Sequence, residues 1–167
     1  PEETAIGAKR MAERIRAAEA RSADVRGVYM TSDVANDRGR AATKLRNDII
    51  NLMDQTDLNA VVIDVKETRG GAIITDQTKE LIRTLHKKSI WAIARIAVFK
   101  DSSQEKIRSD WYLKWKQGST PGDPKGVAIW RDNRGGSWLD PAAPEVWAYQ
   151  LAVAKAARDE ALFPKKM

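Results

Sequence analysis

The sequence contains no cysteine and a single histidine. The first absence excludes disulfides and thiolate metal sites and leaves the redox compartment open. The second argues against zinc, whose sites draw on clusters of Cys and His. His86 sits beside Lys87 and Lys88 and reads as a helix-end residue near the negative end of a helix dipole. No apolar run approaches the length of a membrane span, and the opening PEETAIGAKR has no apolar stretch of the kind a secretory signal needs. A glycine-rich phosphate loop is also missing: Gly70-Gly71 lacks the spacing of a nucleotide cradle, so no cofactor and no metal is implied. The net charge of +6 is spread along the chain, with neither an RNA-binding aromatic signature nor zinc-finger spacing. It reads as a solvated surface, with no nucleic-acid partner.

What is present is enough chain, 167 residues, for one domain with a real core. The stretch Asn59 to Glu67, NAVVIDVKE, is an apolar, β-branched run ending in charge, and Ser89 to Asp101, SIWAIARIAVFKD, repeats the theme. Buried parallel strands read this way when their C-terminal ends open into a site. Alternation puts Val61, Ile63 and Val65 on one face and Asp64 and Lys66 on the other. On the second run Trp91, Ile93, Arg95, Ala97 and Phe99 share a face, so Arg95 is a mid-strand charge that needs a partner. Asp64 on the neighbouring strand is the expected one.

Taken in order, residues 1–24 form a charged, alanine-rich helix or linker with a thin stripe of Ile6, Met11 and Ile15. Val25 to Thr31 reads as a short strand in which Gly27 lets a neighbour approach, and SDVANDRGR as a loop. Ala42, Leu45, Ile49, Leu52 and Met53 recur at helical spacing between Arg40 and Met53. A second helix, Thr78 to Lys88, presents Leu81, Ile82 and Leu85. The segment 102–141 is far longer than an ordinary connection and carries Trp111, Trp115, Trp130 and Trp138 among charged residues and the turns STPGDPKG and NRGG. Asp140-Pro141 then opens a helix with a stripe of Val146, Tyr149, Gln150, Val153 and Ala157. The fold class is therefore α/β: residues 25–167 supply about three βα units with parallel strands, preceded by the N-terminal helix.

The tryptophans suit either of two roles. Flat rings stack on sugar faces while nearby Arg, Asp and Asn bind hydroxyls, or the four rings form the loop's private core. Trp130 with Arg131 and Asp132 is the preferred ligand contact, and Trp138 and Trp147 are expected to pack together. Asp64 takes a structural or substrate-positioning role, held by Arg95 or Lys66, and Asp101 is either a sugar partner or a turn cap.

VRGVYMT, NAVVIDVKE, IWAIARIAVFKD and WRDNRGGSWLDPAAPEVWAYQLAVAKAA, in that order, resemble the opening part of a bacterial glycoside hydrolase family long catalogued as a domain of unknown function and similar to the α-amylase clan. The resemblance spans Val25 to about Ala157 and implies part of a TIM (β/α)8 barrel with a sugar site at the strand C-termini. On this basis Asp64, Lys66, Arg95, Lys100, Asp101, Trp130, Arg131, Asp132 and Trp138 are the substrate-binding candidates, and the partner is a glycan or polysaccharide. The family's look also implies an extracellular or envelope location. Its expected nucleophile, on a fourth strand, is not in this sequence, so the catalytic residues stay unknown and the chain is expected to be inactive alone. A non-catalytic carbohydrate or cell-wall binding module is the alternative, and self-association through open sheet edges is a third expectation.

Overall fold

The computed structural model describes residues 23–116 and 128–162, with side chains to Arg158, together with residues 9, 12, 13, 16, 17, 19 and 20. Those last seven are all helical, in keeping with the charged N-terminal helix; Ile6, Met11 and Ile15 lie outside the described residues, as does the STPGDPKG turn. Strand β1 (Gly27–Met30), helices α1 (Ser32–Asn36) and α2 (Arg40–Asp54), strand β2 (Ala60–Lys66), helix α3 (Asp76–Lys87), strand β3 (Trp91–Ile96) and helix α4 (Pro144–Leu162) follow in order.

The three strands form one sheet, in the order β1-β2-β3, and both pairs are parallel. Gly27 lies opposite Ala60, and a Cβ there would stand 3.0 Å from the Ala60 carbonyl oxygen, so the close approach read from the sequence holds. Val61, Ile63 and Val65 are buried with Met30, Leu81, Ile82 and Leu85 in the core between sheet and helices. Each such side chain contributes about 1.5–3 kcal/mol through burial. The opposite face of the sheet carries Tyr29, Asp64 and Arg95, and this is the inward face of a (β/α) barrel.

Helix α3 starts where Thr75 accepts a hydrogen bond from the Thr78 amide (3.4 Å), with Asp76 in the first turn. It ends without glycine. Ser89 adopts φ +60°, while the Ser89 and Ile90 amides close on the His86 and Leu85 carbonyls at 3.0 and 2.9 Å. This paired closure turns the chain directly into β3.

Several features differ from the sequence reading. The SDVANDRGR segment contains α1, because Thr31 caps the Val34 amide (3.4 Å). Helix α2 buries Arg46 and leaves Leu45 and Leu52 exposed, since Arg46 finds backbone carbonyl partners. Strand β3 ends at Ile96, so Phe99 leaves the sheet and joins a second core. Finally, α4 begins at Pro144; the Asp140 carboxylate instead closes a turn on the Ala142 amide (2.8 Å).

The long connection after β3 is a lobe with its own core of Tyr112, Leu139 and Val146, flanked by Phe99, Trp111, Ile129 and Tyr149. Antiparallel bridges join Lys100 to Trp138, Tyr112 to Leu139, Lys114 to Ile129 and Arg131 to Ser137. Single bridges between residues far apart in sequence leave no periodic signal, which is why the segment reads as a connection.

Candidate functional site

Register places Tyr29, Asp64 and Arg95 on successive strands of the inward face, Asp64 directly opposite Arg95. The Asp64 carboxylate is nearly enclosed, 3% exposed, and Arg95 Nη1 donates to Asp64 Oδ1 at 2.6 Å. The Tyr29 hydroxyl donates to Asp64 Oδ2. Both carboxylate oxygens are thus engaged, and Asp64 positions the two groups that reach solvent: the half-exposed Tyr29 ring and the Arg95 guanidinium, 53% exposed. The charge on Arg95 is therefore not interior, as mid-strand placement implied, because it lies on an edge strand with its head in water. The hydrogen bond to Asp64 raises the pKa of Tyr29 above that of a free phenol.

Lys66 does not share in this cluster. A register shift between Asp64 and Lys66 carries it onward to Asp101, with Nζ 3.1 Å from Asp101 Oδ2 and 2.8 Å from the Ala97 carbonyl. Both side chains are 0% exposed. Asp101 also accepts from the Ser103 amide (2.8 Å) and the Tyr149 hydroxyl (3.1 Å). Neither Lys66 nor Asp101 can meet a solute directly. Of the two roles open to Asp101 in the sequence, the turn cap is the one the geometry shows, and the pair binds the end of β2 to the lobe and to α4.

Asp132 organises the lobe's rim. It accepts from Lys100 Nζ (2.7 Å), Trp138 Nε1 (3.0 Å) and the Gly136 and Arg134 amides (2.8 and 3.0 Å). Arg131 forms a two-pronged pair with Glu105 at 3.1 and 2.8 Å. Trp130 packs on Trp115 with ring centroids 6.4 Å apart, and Trp111 packs on Tyr149 at 5.6 Å. Trp147 meets Phe99 edge-on at 5.2 Å, where the sequence suggested Trp138; Trp138 instead lies under the Lys100 ammonium at 5.8 Å. The rings therefore build the lobe, and Trp130, Trp138, Lys100, Arg131 and Asp132 keep part of their surface in solvent.

Three of these carboxylates titrate below their usual range. Lys100 is the main cause for Asp132, and Arg131 for Glu105. For Asp101 burial pushes upward, but hydrogen bonds from Ser103 and Lys66 outweigh it. An unfolded chain takes up these protons first as pH falls. Their stabilisation is therefore present above the ordinary carboxylate range near pH ~4 and is lost as pH drops through the lower folded values. Urea midpoints read by tryptophan fluorescence are expected to start falling below about pH 5 and to keep falling below about pH 3, less so in Asp132→Asn. A flat profile in the wild-type chain would contradict the assignment.

Sequence reasoning passed over Tyr29. The signal was there: in GVYM the alternation that buries Met30 sends Tyr29 to the face of Asp64. Among the described residues no group of three His, Asp or Glu side chains could hold a metal ion, and no helix is long and apolar enough to cross a membrane.

A parallel sheet with helices on one face, polar residues on the other and a lobe at the strand C-termini is the arrangement of part of a (β/α)8 barrel. Residues 71–162, more than half of the chain, match the family described as "putative glycosyl hydrolase domain", and the chain belongs to that family. Two solved structures share the fold. A hypothetical protein from Ruminiclostridium thermocellum aligns with TM-score 0.63 and 23% identity, over 80% of this chain and 70% of its own. A noncanonic maltogenic alpha-amylase from Thermotoga neapolitana aligns with TM-score 0.57 and 13% identity, over 80% of this chain and 36% of its own. No curated protein matches the sequence.

Proposed function

We propose that this chain is the glycan-binding portion of a glycosyl hydrolase barrel, and that by itself it binds saccharide without cleaving it. The observation carrying this reading is the Tyr29–Asp64–Arg95 cluster on the inward face: an aromatic surface for a sugar ring and a guanidinium for its hydroxyls, both fixed by one enclosed carboxylate. Glycoside hydrolysis by the common route needs two carboxyl groups flanking the bond, one of them free to move a proton. Asp64 has both oxygens engaged and serves as a positioning residue. Lys100, Trp130, Arg131, Asp132 and Trp138 would extend the contact along the lobe rim. The domain division at residue 24 belongs to this reading, as do the free edges of β1 and β3, where further strands or a second copy would pair.

The test is titration of the chain with a glycan panel, followed by Tyr29→Ala and Arg95→Ala. Each removes a partner of the enclosed Asp64 carboxylate, so a urea midpoint read for each variant will establish that it folds, while affinity for any bound glycan is expected to fall about tenfold or more. Binding indifferent to both changes would remove the site. Release of reducing sugar by this chain, abolished in Asp64→Asn, would overturn the non-catalytic part of the proposal.

A further inference from the structure

Where the chain leaves β2 and β3 and meets the lobe lies a cavity of about 330 Å³, at the lower end of the range for small-molecule sites. Its charged lining is of one sign: Arg69, Lys100, Arg131 and Arg134, interleaved with Ser102 and Gly136. Lys100 and Arg131 are answered from behind by Asp132 and Glu105. Arg69 and Arg134 have no ion-pair partner among the described residues, and both are exposed at the rim. Gly135 takes φ +75°, and a Cβ on Gly136 would stand 2.5 Å from Lys100 Cε, so only glycine leaves the lysine its place against Asp132.

We infer that this cavity takes the anionic substituent of an acidic saccharide, a carboxylate-bearing uronic acid unit of the bound glycan. The inference rests on the glycan reading above and specifies its substrate class. Two of the four cations are neutralised within the lobe, leaving an excess of two guanidiniums, and a guanidinium's planar fork matches a carboxylate. A neutral sugar would leave that excess charge unanswered. The hydroxyl of Ser102 and the lysine head then suit the sugar's own oxygens. Thr68 and Arg69 follow β2 and Lys100 and Ser102 follow β3, so the cavity lies among the strand-end loops, the part of a barrel that meets substrate.

The experiment is calorimetric titration of the full chain with a galacturonate hexamer, a neutral glucose hexamer and inorganic sulfate, repeated with Arg69→Gln/Arg134→Gln. Both arginines are exposed, and an unchanged urea midpoint will confirm that the double variant folds. The acidic hexamer is expected to bind at least about tenfold more tightly than the neutral one, to weaken as salt is raised, and to lose that advantage in the double variant. Equal affinity for both hexamers, sulfate binding as tight as the uronate, or uronate binding that survives the double change would each overturn the inference. A neutral hexamer bound through Tyr29 and Arg95 alone would defeat this proposal and leave the glycan reading standing; no binding of either hexamer would defeat both.

Discussion

Asp101→Ala is expected to destabilise the fold by about 3–5 kcal/mol, the cost of leaving one member of a buried ion pair alone. The variant strands the Lys66 ammonium at a position with no solvent exposure, facing two backbone carbonyls and no anion. It also removes the acceptor of the Ser103 amide and the Tyr149 hydroxyl, so the lobe loses one of its ties to α4. Lys66→Met should cost a similar amount, because Asp101 then remains buried and charged. The pair Lys66→Met with Asp101→Leu is expected to lose clearly less than the two single changes combined, since neither charge is left uncompensated. Urea unfolding of the four proteins decides the matter. Single variants within about 1 kcal/mol of wild type would show that water reaches the pair and that the enclosure described above is wrong.

The second large effect is expected at Arg46→Ala, at about 2–4 kcal/mol. Arg46 is 4% exposed, and its guanidinium donates to the Val34 and Asp37 carbonyls and to Thr43 Oγ1 at 2.9 Å. It closes the end of α1 onto α2, in a segment where no sheet hydrogen bonds are available. Truncation leaves the carbonyls without their donor and opens a space beside α1. Arg46→Lys should recover part of the loss, as an ammonium can replace the Nη1 that serves both carbonyls but not the second guanidinium nitrogen that reaches Thr43 Oγ1. Hydrogen exchange should localise the damage: faster exchange at Ala35 and Asp37, whose amides close α1, with β2 amides unchanged. Uniform acceleration across the sheet would mean that Arg46 supports the whole domain instead.

Much of this architecture was legible in the residues. The run AVVIDVK ends in charge and alternates, so its strand, its buried face and the meeting of Asp64 with Arg95 follow from a period of two and from the cost of an unanswered charge. Leu81, Ile82 and Leu85 identify the buried face of α3 just as directly. The site was legible less evenly. Lys66 stands two residues from Asp64 and reads as its partner, but the register shift between them sends it to Asp101. Trp138 and Trp147 share an apolar stretch, yet Phe99 leaving β3 takes the Trp147 ring.

By itself the chain determined the three strands and the longer helices, the buried faces of β2 and α3, and that a charge pair must bridge β2 and β3, because those properties follow from periodicity and from the solvation of each residue type. Only the tertiary structure decided that Asp101 answers Lys66, how the tryptophans of the lobe are partnered, and that two arginines from separate loops line one cavity. Those outcomes depend on distances between residues far apart in sequence, and the order of residues along a chain does not fix such distances until the lobe has closed on the sheet.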